Sequence, residues 1–264
     1  MKKRAILVVS FGTSYKETRE KTIAAIENSL QEAFSEYKVY RAFTSKRIKR
    51  KLEREGVFIF DVKEALEQML PDGVAELMVQ PTYMINGMEY DKMIDDIAPY
   101  LDKFENVIYG SPLLSGQEDY KELATIIRKA YPVDQDEVLV LMGHGSDHHA
   151  NIAYPVFERV LKELDYQNIV VGTVKGYPTF FEVKRQLKKS KIQKVCLVPM
   201  MIVAGNHANY DMIGKEESWK AELEQEGYRV RYYLKGLGEL SDVQQMFVRH
   251  AKEANPLLRK TFLS

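Results

Sequence analysis

The sequence predicts an α/β fold of two similar Rossmann-like lobes, each with a parallel sheet and helices on both faces. Three observations support this fold class. Short apolar runs, of the length typical of buried strands, alternate with longer segments of helical periodicity. Several runs end at glycine or polar residues, as strands do where they enter a turn. Three segments of the first half also recur, in the same order, in the second half.

The apolar runs are the predicted strands. They are too short for buried helices, and most are rich in valine, leucine and isoleucine. Strands that alternate with helices in this way indicate βαβ units, in which neighbouring strands run parallel. The predicted strands are residues 5–9, 39–43, 74–79, 107–109, 137–142, 169–174, 195–198 and 229–233.

Helix start signals lie between these strands. Ser14 with Glu17, and Asp61 with Glu64, have the spacing of capping boxes. Residues 45–55, SKRIKRKLERE, are strongly basic, with apolar residues at helical spacing. They predict a surface helix whose charged face is solvated, because charge runs are usually exposed.

The internal repeat consists of three pairs of segments that resemble each other. The pairs are VVSFGTS (8–14) with VLMGHGS (140–146), VQPTYMINGME (79–89) with VPMMIVAGNH (198–207), and YRAFTS (40–45) with VGTVKG (171–176). The alignments place Phe11 opposite His144, Glu89 opposite His207 and Thr44 opposite Lys175.

This repeat predicts two α/β lobes related by a pseudo-twofold axis, with the carboxyl ends of their strands lining a shared cleft. We expect an N-terminal lobe over residues 1–132 and a C-terminal lobe over 133–264. We leave open whether the last helix, predicted over 239–254, packs against the first lobe.

Composition excludes several classes of function. Lysine plus arginine equals aspartate plus glutamate at 38 each, so nothing global favours nucleic acid or an anionic membrane as a partner. The lone cysteine, Cys196, excludes an intrachain disulfide and a cysteine-based zinc cluster. The N-terminal apolar run is short and lacks a small-residue cleavage site. We therefore expect a cytoplasmic protein without membrane spans, and leave homo-oligomer formation open.

Histidines carry the strongest chemical signal. The chain has five, and His144 and His207 each follow a predicted core strand through a turn containing glycine. In parallel α/β sheets, ligands bind at the carboxyl ends of the strands. If the halves face each other, Glu89 joins the two imidazoles. Such a set suits Co²⁺, Ni²⁺, Fe²⁺ or Zn²⁺ better than Mg²⁺ or Ca²⁺, and the same groups can accept protons.

Motifs along nearly the whole chain resemble those of the anaerobic cobalt chelatases, the sirohydrochlorin cobaltochelatases of the class II chelatase family. The motifs are ILVVSFGTS (6–14), RAFTS (41–45), INGMEY (85–90), MGHGSDHHA (142–150), VAGNHANYDM (203–212), SWK (218–220) and GLGE (236–239). The resemblance implies a bilobal fold and ATP-independent insertion of Co²⁺ into sirohydrochlorin in anaerobic cobalamin biosynthesis. Co²⁺ is then a substrate, and no cofactor is permanently bound.

The same resemblance assigns roles to residues. His144 and His207 would handle the metal and accept the pyrrole protons, with Glu89 as their acidic companion. We expect substrate contacts at Ser10, Phe11, Thr13, Arg41, Met84 and Lys175. Lys175 departs from the family pattern, because an acidic residue is expected there. An ammonium would repel a metal ion but could pair with a carboxylate of the tetrapyrrole.

Other functions stay open at this point. The inserted metal could be nickel, iron or zinc. The protein could instead be a non-catalytic relative that binds tetrapyrroles or metal, with Lys175 in place of a needed ligand. The Gly-His-Gly turn also suggests histidine phosphoryl transfer, but no paired arginine cluster for a phosphate accompanies it.

Overall fold

The computed structural model describes residues 2–256, in which eight strands form two parallel sheets. The strands are β1 Lys3–Ser10, β2 Tyr37–Phe43, β3 Val74–Pro81, β4 Asn106–Tyr109, β5 Glu137–Gly143, β6 Ile169–Thr173, β7 Lys194–Met200 and β8 Arg229–Tyr232. The first sheet has the order β2-β1-β3-β4 and the second the order β6-β5-β7-β8. Each predicted strand matches one of these within a few residues, and the α/β fold class is confirmed.

Helices connect consecutive strands, and a last helix follows β8. They are α1 Lys16–Arg19, α2 Ala25–Ala33, α3 Lys46–Arg54, α4 Val62–Met69, α5 Met88–Ile97, α6 Gln117–Ala130, α7 Ala153–Glu163, α8 Phe180–Ser190, α9 Trp219–Gln225 and α10 Ser241–Lys252. A π-helical segment, Glu20–Ala24, joins α1 to α2, and another, Ala208–Met212, follows β7. Within residues 2–256, no helix combines the length and the apolar composition that crossing a bilayer requires.

Of the two predicted capping boxes, one is present in the structure and the other is not. The capping box at α4 is confirmed, because Asp61 accepts from the backbone N–H of Glu64 and Glu64 accepts from that of Asp61. The predicted cap at Ser14 is wrong, since α1 begins after Tyr15 and has no side-chain cap. Thr13 accepts the backbone N–H of Tyr15 at 3.2 Å, which extends the turn beyond Ser14.

The two sheets repeat the same strand register. Val9 of β1 is paired with Pro81 of β3, and Met142 of β5 is paired in the same way with Pro199 of β7. The residue two positions beyond the first member of each pair is Phe11 in one sheet and His144 in the other. The sequence alignment that placed these two residues opposite each other is therefore confirmed by the strand pairing.

The third segment of the alignment was misplaced by one residue. Ser10 is paired with Phe43, and Gly143 with Thr173, so counting two residues onward makes Ser45 the counterpart of Lys175. The hydrogen bonds agree, because the N–H of Ser45 donates to Phe11 O as that of Lys175 donates to His144 O. The sequence could not show this shift, because the register is defined by the backbone pairing of the strands.

One apolar core connects the two sheets. It contains residues of the central strands β1 and β5 together with α2, α6, α7 and α10. Helix α10 packs against α2, α6 and β3, so the last long helix contacts elements of the first sheet. The division into lobes at residues 132 and 133 stays a prediction.

A buried polar cluster fixes α10 to α6. Asp119 of α6 accepts from His250 Nε2 at 2.8 Å and from Arg249 Nη2 at 2.7 Å, and both partners belong to α10. It also accepts the backbone N–H of Gly116 at 2.6 Å. Burial alone would raise the pKa of Asp119, but these hydrogen bonds hold it well below the usual range.

Asp119→Ala should lower the free energy of unfolding by about 3–5 kcal/mol, because it leaves the buried His250 without its acidic partner. Urea unfolding at neutral pH measures the change. Since the folded-state pKa is depressed, this stability is present above the unfolded pKa of about 3.9 and is lost as the pH falls further. Glu118→Ala, on the same helix but exposed, is the control and should change stability by less than about 0.5 kcal/mol. Equal effects of the two variants would contradict the assigned role.

Candidate active site

Two imidazoles lie together at the carboxyl ends of neighbouring strands. His144 directly follows β5, and His207 precedes the π-helical segment after β7. Their ring centroids are 4.6 Å apart and the ring planes are inclined at 74°, an edge-to-face arrangement. Because β5 and β7 are hydrogen-bonded in parallel, both histidines emerge at one edge of the second sheet. The structure thus brings together the two histidines that the sequence singled out.

Hydrogen bonds orient both rings. Nδ1 of His144 lies 2.7 Å from the carbonyl oxygen of Gly145, and Nδ1 of His207 lies 2.6 Å from Oδ2 of Asp211. Both partners are acceptors, so Nδ1 is the protonated nitrogen in each ring. The Nε2 atoms of the neutral imidazoles are then free to bind a metal ion or to accept a proton.

The turn that presents His144 requires glycine. Gly145 has φ of +74°, in the left-handed region. A Cβ atom at this position would lie 1.3 Å from the carbonyl oxygen of Lys175. The backbone N–H of Lys175 in turn donates to His144 O at 2.8 Å. Two loops of the second sheet are thereby held in backbone contact, and the exposed Lys175 is kept beside the imidazole.

The surroundings of His144 keep its ring neutral. The ring is reached by solvent, yet the flanking loops remove enough water that this partial burial lowers the pKa of His144. The hydrogen bond to Gly145 opposes the shift, while the charges of His207 and Lys175 add to it. A neutral ring at neutral pH is the form that can bind a metal or accept a proton.

Glu89 occupies in the first lobe the position that His207 occupies in the second. It lies in the first turn of α5, eight residues beyond Pro81, just as His207 lies eight beyond Pro199. Its Oε2 atom is buried and has no hydrogen-bond partner in the described part of the chain. Burial raises the pKa of Tyr83, and the charge of Glu89 raises it further. The carboxylate of Glu89 therefore has one buried oxygen that could accept a further contact.

The three predicted metal ligands do not form a preassembled site. Among residues 2–256, no three His, Cys, Asp or Glu side chains are arranged so that they could hold one metal ion. The two imidazoles alone are in contact, and Glu89 as their third partner stays a prediction.

The predicted substrate contacts differ in how accessible they are. Phe11 and Lys175 are exposed, while Ser10, Thr13 and Met84 are buried. The guanidinium of Arg41 forms a bidentate ion pair with Glu27, a residue of α2, and so already has an acidic partner. Of this group, Phe11 and Lys175 present their side chains to a ligand most directly.

Sequence reasoning missed several residues in the loops and helical segments that follow the strands. Met88, Tyr177, Phe181 and Tyr210 expose large apolar side chains there. Such side chains offer flat apolar contacts of the kind that ligand sites use. Asp211 was also missed, although its spacing of four residues from His207 was a usable signal on a helical segment.

Two polar contacts connect loops of the two lobes. The hydroxyl of Tyr15, after β1, donates to Asn206 Oδ1, after β7, at 3.0 Å. Nε2 of His148, after β5, lies 3.2 Å from Oδ2 of Asp91 in α5. Because His148 Nδ1 accepts the backbone N–H of Ala150, its Nε2 carries the proton and donates to Asp91. The Nε2 atom of His148 is therefore already used in a structural contact with Asp91.

Comparisons with known proteins show the family to which the chain is similar. The model of the family described as cobalt chelatase (CbiK) matches residues 4–255. Sirohydrochlorin cobaltochelatase of Salmonella typhimurium is 37% identical over 255 residues, which cover 96% of each chain. Sirohydrochlorin cobaltochelatase CbiKC of Nitratidesulfovibrio vulgaris is 30% identical over 259 residues, covering 96% of this chain and 91% of that protein. The structure of SirB from Bacillus subtilis with Fe³⁺ has the same fold, with a TM-score of 0.65, 17% identity and 95% coverage of both chains.

Lys175→Met should raise the pKa of His144, because removing the ammonium removes one of the charges that oppose protonation of the ring. Titration of the imidazole signals by NMR measures the shift directly. Lys189→Met, an exposed lysine near the end of α8, is the matched control and should leave the His144 pKa unchanged. A His144 pKa that is unaltered in Lys175→Met would show that the ammonium does not act on this ring.

Proposed function

The chain belongs to the cobalt chelatase family, and we propose that it inserts Co²⁺ into sirohydrochlorin by means of the His144–His207 pair. The observation that carries this proposal is the contact between two imidazoles whose Nε2 atoms are both free. Insertion must strip water from Co²⁺, deliver the ion to the face of the macrocycle and remove two pyrrole protons. Neutral imidazoles can serve each of these steps.

In this proposal the Nε2 atoms first bind Co²⁺ and then accept protons. As Co²⁺ passes to the pyrrole nitrogens, its bonds to imidazole break and bonds to the macrocycle form. The released N–H protons move to the vacated Nε2 atoms and from there to water. Asp211, bonded to Nδ1 of His207, stabilises the imidazolium that results. The balance is one divalent cation bound for two protons released, which requires neither ATP nor a resident cofactor.

Lys175 and Glu89 would have two different electrostatic roles in the proposed reaction. The Lys175 ammonium disfavours Co²⁺ on the empty protein and attracts the carboxylates of the tetrapyrrole, so it favours binding of the macrocycle. Glu89, with its unpaired carboxylate oxygen, is proposed as the acidic companion that faces the imidazoles from the first lobe. A cytoplasmic location is part of the same proposal, consistent with the single, buried and unpaired Cys196.

Anaerobic incubation with sirohydrochlorin and Co²⁺ tests the proposed reaction. The absorption spectrum should convert to that of the metallated tetrapyrrole faster than in a sample without protein. Parallel incubations with Ni²⁺ and Fe²⁺ determine the metal preference. Conversion no faster than the protein-free rate with any of these metals would overturn the proposal and would favour a binding protein without catalysis.

His144→Ala and His207→Ala should each lower the insertion rate by about a hundredfold or more, because each removes one imidazole from the pair. Initial rates at saturating Co²⁺ measure the loss. His149→Ala removes an exposed histidine whose ring contacts that of His148, and as the control it should keep most of the activity. A folded His144 or His207 variant with nearly the parent rate would exclude that histidine from the chemistry.

The insertion rate should rise from acid toward neutral pH. Both imidazoles must be unprotonated, and the lowered pKa of His144 places its transition below the free value of about 6.5. Activity is therefore gained as the pH rises through that pKa and is lost below it. Rates measured between about pH 5.5 and 8 in one buffer system define the profile. A flat profile would argue against histidine as the proton acceptor.

A further inference from the structure

Helix α3 has an exposed cationic face. Its basic residues, apart from the buried Lys49, point away from the apolar side formed by Ile48 and Leu52. At about 100° per residue, these cations fall within an arc of roughly 140°. The residues of this face are Lys46, Arg47, Arg50, Lys51 and Arg54.

The cationic face of α3 has no acidic partners among the described residues. In residues 2–256, no carboxylate lies within 4.0 Å of the charged nitrogens of these five side chains, whereas Lys49 of the same helix pairs with Asp61 and Glu64. Many other basic residues of the protein, such as Arg4, Arg231 and Arg249, are likewise ion-paired. The chain has no net charge, so the face is a local concentration of positive charge.

Like charges repel one another along this face. Lys46 and Arg50, Arg47 and Lys51, and Arg50 and Arg54 are like-charged pairs four residues apart, a spacing at which such pairs destabilise a helix. Lys46 and Arg47 also lie in the first turn, where cations oppose the helix dipole and no acidic residue balances them. A polyanionic ligand would remove these repulsions.

The cationic face is connected with the candidate active site through intermediate residues. Helix α3 follows β2 at the carboxyl edge of the first sheet, where Ser45 caps it and donates its N–H to Phe11 O. The ammonium of Lys51 lies 5.6 Å from the centre of the Tyr15 ring. Tyr15 contacts Asn206, the residue before His207. A short series of contacts therefore connects this face with the imidazole pair.

The pseudo-twofold axis gives a second reason to connect the face with the cleft. Ser45, at the start of α3, is the structural counterpart of Lys175. The equivalent outer strands β2 and β6 are thus both followed by cationic residues at the carboxyl edge. A macrocycle with carboxylates around its rim would meet positive charge from both lobes.

We propose that the cationic face of α3 binds carboxylate side chains of the tetrapyrrole and selects polycarboxylate macrocycles over less acidic ones. The inference rests on the proposed function for the identity of the macrocycle. It assigns a binding role to Arg47, Arg50 and Lys51, which the sequence alone predicted to be a solvated surface. Nucleic acid and anionic membranes are the alternative polyanions, and the experiment below includes both.

The test replaces Arg47, Arg50 and Lys51 together by glutamine, which keeps side chains of helical propensity and removes three charges. Binding of metal-free sirohydrochlorin is measured at equilibrium, so the result does not depend on insertion. The Kd should rise about tenfold or more, since exposed charge pairs contribute modestly but add up. The variant should also lose much of the salt dependence of binding. In steady-state insertion, KM should rise while kcat falls far less.

A double variant, Lys188→Gln with Lys189→Gln, is the matched control, because these exposed cations lie at the far end of α8. It should bind sirohydrochlorin as the parent does. A protoporphyrin with two carboxylates serves as the second probe. The parent should prefer sirohydrochlorin over it, and the triple α3 variant should prefer it less. Thermal unfolding of both variants checks that the fold is retained.

Several results would overturn the inference. An unchanged Kd in the folded triple variant would exclude the face from tetrapyrrole binding, even if Co²⁺ insertion is observed. Loss of binding to duplex DNA or phosphatidylserine vesicles, with sirohydrochlorin binding retained, would assign the face to another partner. If insertion is absent but the triple variant binds sirohydrochlorin more weakly, the proposed reaction fails and this inference stands.

Discussion

The parallel pairing of β5 with β7 is the constraint on which the site depends. Because these central strands are hydrogen-bonded neighbours and run in one direction, the segments after them begin at the same edge of the sheet. That edge brings His144 and His207 into ring contact, although 62 residues separate them in the chain. The close backbone approach at Gly145 then fixes the loop that carries the first imidazole. The proposed proton acceptance and metal binding both depend on this arrangement of two loops.

The two sheets share one topology but carry different side chains at equivalent positions. The second lobe supplies the two imidazoles, and the equivalent positions of the first lobe hold Phe11 and Glu89. The positions that carry the imidazoles in the second sheet thus carry an apolar ring and a carboxylate in the first. Such asymmetry suits two different substrates. One is a flat macrocycle that has to be contacted, and the other is a metal ion that has to be transferred.

The sequence predicted the fold well because strand periodicity and glycine turns are local signals. It also identified His144 and His207, since a histidine after a core strand is visible without tertiary structure. The pairing of Arg41 with Glu27, the contact of His148 with Asp91 and the true counterpart of Lys175 were not predictable in this way. Each depends on a register or a packing contact between segments distant in sequence.

A double-mutant cycle on the insertion rate tests the central claim most directly, namely that His144 and His207 act as one unit. The rates of the parent, both single alanine variants and the double variant are compared at saturating Co²⁺. Since residues that act as a unit have non-additive effects, we expect the double variant to be about as slow as the slower single variant. Fold losses that multiply in the double variant would contradict the claim and would assign the two imidazoles to independent steps.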